Sequence, residues 1–556
     1  MAKNEQFRDV ITERIPVTNV LAFDVEGDGN NDDAAGLQDA IDYAEQNGGV
    51  VYFPPGTYNV SNTLTVNSNI TIVGDGKGSS TIVGNAVLEK VIELNAGAVV
   101  RDLTVDCQNN VNKGVVFYNA NSPQVESVEV KNCNSSSTFT QSSIGILAKG
   151  SSNAVIQNCT VTDVNNDHSL VSTGIATVGG TDGGGHRISN NYVDTITPGD
   201  DGDCIKSGPD GGGVVIEGNV CIDGQKRAIK CQSKDSTVND NVCYWTGNGA
   251  PINAIAIQHD NCSVVGNVIS SVAYDYSGIH QGQGNKNCTI VGNSIEIRGT
   301  SNSGDMMQLR QENSAVIGNA LYMNGEGRYG ISVPDQIDNL IIGQNTIEQA
   351  GTSGIRFWAD NVCNRVIVNH NIINNAGVYG IDLSNVNNID IKDNIMSAGT
   401  ARINNRDGVV INDAGQAVLK VSKAGGQTAG SGGSTKLTLG NKLVDRGKNA
   451  IDLNGGNDSI SILEDGTYNI NCQVMLDGPS NSTRFQVRVR LNGNNKIMWP
   501  DTVSQGGAAE TLNPETTKNL NAGDEISFAV YHDDSNGGLG IMSNPPKTQF
   551  TVTKVA

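Results

Sequence analysis

Ser263-Val264-Val265-Gly266-Asn267-Val268-Ile269, Thr289-Ile290-Val291-Gly292-Asn293-Ser294-Ile295 and Ala315-Val316-Ile317-Gly318-Asn319-Ala320-Leu321 are one phrase written three times, 26 residues apart. The same pattern, two aliphatics, a turn pair ending in Asn, then an aliphatic, places asparagines at 132, 158, 191, 219, 241, 267, 293, 319, 345, 371 and 394. From Asn241 to Asn371 the interval is 26 residues five times in succession. So short and constant a period means stacked units, each burying its apolar face only against its neighbours. The interval is too short for a propeller blade, and the leucine frame of a leucine-rich repeat is missing.

A second phrase, Gly-Ile, keeps rough step with the first at Gly145-Ile146, Gly174-Ile175, Gly278-Ile279, Gly330-Ile331, Gly354-Ile355 and Gly380-Ile381, with Cys204-Ile205 and Ala228-Ile229 as variants. Several short strands per coil, joined by Asn, Gly and Asp turns with no helical periodicity between them, specify an all-β chain wound as a right-handed parallel β-helix. Composition agrees: aromatics are 4%, charged residues 17%, and there are 67 glycines. Of the eleven cysteines, Cys133, Cys159, Cys221 and Cys243 stand where other coils carry aliphatics. They read as small core residues and not as disulfides or a zinc site.

The amino-terminal part reads Phe23-Asp24-Val25-Glu26-Gly27-Asp28-Gly29, then Asp32-Asp33, then helical apolar spacing from Ala34 to Glu45, then Gly48-Gly49-Val50-Val51-Tyr52-Phe53-Pro54-Pro55-Gly56-Thr57-Tyr58. Asp28, Asp32 and Asp33 lack calcium-loop spacing and suit turn and helix N-cap roles. This block resembles the opening of pectin-lyase-like β-helices, especially bacteriophage tailspikes and capsular depolymerases, in which a helix closes the first coil. Around Lys423 to Ser434 the chain turns Gly/Ser-rich, which reads as a linker. Beyond it, Phe485-Gln486-Val487-Arg488-Val489-Arg490-Leu491 and Glu525-Ile526-Ser527-Phe528-Ala529-Val530-Tyr531 alternate as strands of an antiparallel β-sandwich. Asp465-Gly466-Thr467-Tyr468-Asn469-Ile470 and Leu520-Asn521-Ala522-Gly523-Asp524-Glu525-Ile526 resemble jelly-roll modules of the complement-globular-head and tumour-necrosis-factor type, which implies a homotrimer.

The expected division is therefore 1–20 for virion attachment, 21–420 for the β-helix, 421–436 for the linker and 437–556 for a trimerising sandwich. A net charge of −21 with no Lys/Arg cluster excludes nucleic acid. No apolar run is long enough to cross a bilayer, and Met1-Ala2-Lys3-Asn4-Glu5 lacks signal-peptide features, so synthesis in a host cytoplasm and no membrane insertion are expected.

For chemistry, the outward residue after each inward Ile, counting Ile257 and Leu309 as the inward residues of their coils, gives a file of Lys206, Lys230, Gln258, His280, Arg310, Arg356 and Asp382, with Trp358 on the same face. Polar, charged and aromatic groups on one groove suit a polysaccharide. Gly199-Asp200-Asp201-Gly202-Asp203-Cys204-Ile205-Lys206-Ser207-Gly208 resembles the Asp-rich stretch of polygalacturonase-type glycoside hydrolases, in which clustered carboxylates serve as acid and base. Two departures stand against the resemblance: Gly202 splits Asp201 from Asp203, and Gln225-Lys226-Arg227-Ala228-Ile229-Lys230 replaces the expected Gly-His-Gly. The same segment also fits an Asp/Gly-rich turn between coils.

The expected site is thus Asp200, Asp201 and Asp203 for catalysis, with Lys206, Arg227, Lys230, His259, His280, Arg310, Arg356 and Trp358 for substrate binding, and no metal or cofactor. Lys206, Arg227, Lys230, His259 and His280 equally supply the residue types of a polysaccharide lyase, which neutralises a uronate carboxylate and removes the neighbouring proton. The expected role is that of a phage tailspike, carried on the virion tail among tail or connector proteins, which binds and depolymerises host surface polysaccharide by hydrolysis. A uronate lyase and a binding-only adhesin are the alternatives.

Overall fold

The computed structural model describes residues 16–554 except 136–140, 169, 180–183, 198–200, 210–211, 247–250, 272–276, 298–303, 326, 359–361, 385, 406–417, 424–426, 447–450, 454–457, 478–483, 494, 499–500, 504–509, 534–538 and 542–547. The chain divides into two compact units, with the boundary at Val409 and Val410 and Asp390–Lys392 grouped with the second.

The first unit is a right-handed parallel β-helix. Each coil after the first, in which the helix Ala34–Asn47 takes the third place, gives one strand to each of three parallel sheets: sheet 1 runs from Val17–Asn19 to Val386–Lys392, sheet 2 from Asp28–Asp32 to Ile395–Ala398, and sheet 3 from Leu64–Val66 to Ala401–Asn405. Sheet 1 thus begins at Val17, ahead of the expected start at residue 21.

The repeated phrase spans the corner from sheet 1 to sheet 2. Its first turn residue is left-handed on every coil, as at Asn190 (φ 55°), Gly266 (φ 67°) and Gln344 (φ 58°), which explains the Gly, Asn and Asp found there. The following asparagine turns inward. From Asn191 to Asn394, each side-chain amide donates to the Oδ1 of the next asparagine at 2.9–3.0 Å. The same Oδ1 accepts the backbone N–H one rung back, as from Asn267 to Asn293 at 3.0 Å. The second amide hydrogen returns to a strand carbonyl, as from Asn293 to Val264 at 3.0 Å. Polar groups buried at the corner are thereby satisfied in series.

Asn132 and Asn158, expected in this file, lie outside it. The backbone N–H of Cys159 donates to Asn191 Oδ1 at 2.9 Å, so Cys159 holds the ladder position while Asn158 takes the left-handed one before it. Asn132 is left-handed near the end of the strand Glu129–Cys133 in sheet 2. Replacing Asn293 with alanine removes the acceptor for the buried N–H groups of Asn267. We expect a loss of about 1–3 kcal/mol per orphaned group, read as a lower urea midpoint for the solenoid.

The Gly-Ile phrase lies in sheet 3. Ile146, Ile175, Ile205, Ile229, Ile255, Ile279, Ile331, Ile355 and Ile381 are all fully buried. The glycine before them is required by close packing: a Cβ on Gly330 would sit 2.5 Å from Ile347 Cγ2 and 2.6 Å from the Gly354 carbonyl oxygen. All eleven cysteines are buried and free.

The helix Ala34–Asn47 buries Leu37, Ala40, Ile41 and Ala44, and Gln38 bonds both backbone groups of Thr65. Asp33 stands at its N-cap position without capping it. Its Oδ1 accepts the Glu26 N–H at 2.8 Å, so it braces the preceding loop, while Asp32 Oδ1 accepts from Ala34 and Ser61.

The second unit is an antiparallel β-sandwich whose core includes Tyr468, Ile470, Phe485, Val487, Phe528, Phe550 and Val552. Residues 421–436, expected as a linker, contribute strands to it. Val418–Lys423 pairs with Gln549–Lys554, Gln427–Ala429 pairs with Leu539–Ile541, and Ser434–Lys436 pairs with Glu525–His532. The Gly/Ser composition reflects tight connections between edge strands instead of free chain. Among the described residues no helix is long and apolar enough to cross a membrane.

Candidate functional site

Sheet 3 sets the site, because its parallel register stacks equivalent side chains one rung apart. The residue after each inward Ile forms the outward file Lys206, Lys230, Ala256, His280, Gln308, Ser332, Arg356, Asp382 and Asn404. Gln258 and Arg310, expected here, lie two residues further along. Ile255 and Met307, not the equally buried Ile257 and Leu309, align with the isoleucines of the Gly-Ile phrase on neighbouring rungs. In the alternating Ala254-Ile255-Ala256-Ile257 either isoleucine fits the sequence pattern, and pairing alone chooses between them. Gln258 instead accepts from Gln232 at 2.9 Å on a neighbouring, more open file. The middle of the observed file is sheltered, since Ala256, Gln308 and Ser332 are buried.

A compact charged cluster occupies Asp201–Ser207 and the next rung. Arg227 Nη1 donates to Asp201 Oδ1 at 2.7 Å and to Asp203 Oδ1 at 3.0 Å, and Lys230 Nζ donates to Asp201 Oδ2 at 3.3 Å. Asp203 has no exposed surface, and its Oδ2 has no hydrogen-bond partner among the described residues. Burial raises its carboxyl above the ordinary range, with the like charge of Asp201 adding to the rise and Arg227 opposing it. At Asp201 burial also works upward, but Arg227 and Lys230 outweigh it and hold the group below the ordinary range. Lys206 is lowered by burial and by Lys230. Asp200 lies outside the described residues.

The remaining expected residues fall further along the same face. His280 is driven down to about 4 by burial and by the charge of Arg310, so it is neutral at pH 7. His259 is not in the file; its Nδ1 accepts the Asp260 N–H at 2.8 Å in the turn. Arg310 binds Asp335 at 2.9 Å and Gln308 at 3.0 Å, and lines a polar cleft of about 620 Å³ with Asp260, Lys286, Glu312, Pro334 and Asp335. Arg356 pairs with Asp382 at 3.1 Å, and Trp358 is partly open to solvent.

Sequence reasoning missed Asp305 and its partners. Ser332 Oγ donates to Asp305 Oδ2 at 2.6 Å, Arg328 Nε lies 3.4 Å from Oδ1, and burial pushes the carboxyl up to about 6. The signal was available, since Asp305 stands two residues before Met307 as Asp203 stands two before Ile205. That second outward position pairs Asp203 with Arg227, and Ser277 with Asp305.

Residues 17–268 match the family model described as rhamnogalacturonase A/epimerase, pectate lyase-like. The mannuronan C5-epimerase AlgE3 of Azotobacter vinelandii is 46% identical over 72 residues, covering 12% of this chain and 4% of the epimerase. AlgE6 of the same organism is 34% identical over 124 residues, covering 19% of this chain and 14% of that one. The chain thus spans a small part of the curated relatives it matches. Among solved structures, the pre-mature gene product 12 of bacteriophage phi29 superposes with a TM-score of 0.53 at 17% identity, over 73% of this chain and 60% of that one. At that identity the likeness is one of fold.

Proposed function

We propose, from the premise that this solenoid is a pectate-lyase-like β-helix, that the chain binds a surface polysaccharide along the outward face of sheet 3 and hydrolyses it at Asp201 and Asp203. One observation carries the reading: a single guanidinium nitrogen of Arg227 bonds both carboxylates while their proton affinities move in opposite directions. Glycoside hydrolysis needs one carboxyl that holds its proton and one that has lost it. Asp203 would protonate the leaving glycosidic oxygen, and ionised Asp201 would attack the sugar or activate water.

Because both oxygens reach one nitrogen, they lie no further apart than two hydrogen bonds end to end. That is close to the roughly 5–5.5 Å of retaining pairs and short of the roughly 6.5–9.5 Å of inverting ones. Arg227 covers Asp203, so the reaction requires the guanidinium to release it as the sugar enters. Lys206 and Lys230 then hold the sugar from the neighbouring file.

The test is product analysis on purified bacterial surface polysaccharide. New reducing ends without new ultraviolet absorbance are expected. Reducing ends accompanied by the absorbance of an unsaturated uronate would replace hydrolysis with the second reading, a lyase. That reading is favoured by the lowered proton affinity of Lys206 beside two cations, Arg227 and Lys230, suited to a carboxylate. It also accords with relatives named for mannuronan and alginate. A chain that bound polysaccharide and released nothing would be an adhesin.

In the fuller form of this proposal the protein is a homotrimeric tailspike held on a virion tail by its first 20 or so residues, with the terminal sandwich joining three chains. The resemblances in the 23–58 block and the terminal sandwich support this, as does the bacteriophage fold neighbour.

A further inference from the structure

Five rungs along the outward file from Lys230, the face carries an aromatic and cationic platform that the carboxylate pair does not use. The rings of Tyr329 and Trp358 lie 6.3 Å apart. The guanidinium of Arg328 stands 5.5 Å from the Tyr329 ring and 5.8 Å from the Trp358 ring, and that of Arg356 stands 5.1 and 5.5 Å from the same two. Both arginines are held by buried carboxylates: Arg356 by Asp382 at 3.1 Å, and Arg328 by Asp305 at 3.4 Å. The platform is therefore ordered before any ligand arrives, which lowers the entropy lost on binding.

Its exposure is not what packing would produce. Trp245, the other described tryptophan, is buried and donates its indole N–H to the Gly224 carbonyl at 2.7 Å. Trp358 is 36% exposed and Arg328 44%. A partly exposed indole flanked by guanidinium N–H groups suits a pyranose unit, which offers apolar C–H on its faces and oxygens at the rim. Arg310, Pro334 and Trp358 each stand three residues past an inward residue, Met307, Ile331 and Ile355, on consecutive rungs. The 620 Å³ cleft lined by Arg310 and Pro334 thus stops one rung short of Trp358. On the carboxylate side the same open file continues through Gln258 and Gln232.

We propose that Trp358 and Arg328, backed by the buried ring of Tyr329 and joined by the cleft at Arg310, form a second sugar-binding subsite that anchors a polysaccharide chain whose other end lies at Asp201 and Asp203. This rests on the polysaccharide reading above and adds a length requirement to it. Strands of a sheet are about 4.8 Å apart, so the six rungs from Asp203 to Trp358 span about 29 Å. Only a chain several pyranose rings long reaches both places. Joining two weak contacts on one chain raises affinity without any new contact, provided the chain spans the gap.

The test uses the full chain carrying Asp203→Asn, so that bound sugar is not cut, and titrates it with size-fractionated oligomers of alginate, an acidic glycan, and of dextran, a neutral one. Affinity should rise by about tenfold or more once one of the two ladders becomes long enough to span about 29 Å. Trp358→Ala and Arg328→Ala, each checked for an unchanged melting curve, should reduce that rise severalfold. Absence of a length threshold on both ladders, or a threshold that survives both substitutions, overturns the proposal. The hydrolytic reading is judged separately, by whether reducing ends disappear in Asp203→Asn, so either idea can fail while the other stands.

Discussion

Asp203→Asn is expected to lower the rate of polysaccharide cleavage by about a hundred- to ten-thousandfold, the range for loss of a general acid. Asparagine keeps the shape of the side chain and can still accept from Arg227 through Oδ1, so the rung survives while the transferable proton is gone. Stability separates this from damage to the fold. The folded-state proton affinity of Asp203 is raised, so the native state loses stability as pH climbs from the unfolded carboxyl range through the raised folded value. Asparagine has no such cost, and the variant should melt no lower than the wild type at pH 7. The wild-type rate should be bell-shaped in pH. It falls on the alkaline side as Asp203 gives up its proton, and on the acid side as Asp201, whose proton affinity is lowered, gains one. A variant that cuts at the wild-type rate removes Asp203 from the mechanism.

Much of the solenoid is legible because burial writes the same demand on every coil. The isoleucine of each Gly-Ile phrase and the ladder asparagines recur because each must meet its copy one rung away. Legibility fails where two neighbouring positions satisfy the same demand. Ala254-Ile255-Ala256-Ile257 reads equally well in two frames, and the wrong frame moved the expected groove residues to Gln258 and Arg310. Asn158 sits one residue before the ladder position, and no feature of its own chain segment distinguishes a left-handed asparagine from an inward one.

The site was half visible for a different reason. Asp201 and Asp203 stand out as residue types, but their opposite behaviour depends on Arg227, 24 residues beyond Asp203, approaching across one rung. Asp305 was missed on similar grounds. Its raised proton affinity comes from burial, and its neighbours Ser332 and Arg328 are brought in by the next coil. Asp305 and His280 also affect stability in opposite senses. Between about pH 4 and 6 the folded state holds a proton on Asp305 that the unfolded chain has released, whereas the unfolded chain protonates His280 and the folded one does not.

The largest effect on stability should come from Arg227. Its side chain is mostly buried, and it is the hydrogen-bond donor that Asp203 and Asp201 share. Replacing it with alanine leaves the Asp203 carboxyl without its donor in a site with no exposed surface, so that ionising it there is uncompensated, and removing one partner of a buried pair costs about 3–5 kcal/mol. The sign with pH follows from the carboxylates. Without the guanidinium the proton affinity of Asp203 rises further above its unfolded value and the lowering at Asp201 shrinks, so the loss is greatest at neutral pH and declines as acid neutralises the pair. Lys230 still reaches Asp201, so Asp203 should carry most of the penalty. Arg227→Ala combined with Asp203→Asn should therefore recover a large part of the stability at pH 7, measured by urea unfolding of the four members of the cycle. An equal loss in the double variant would place the contribution of Arg227 in the packing of its aliphatic stem. The two aspartates would then be a structural turn, and the proton difference on which hydrolysis depends would lose its physical cause.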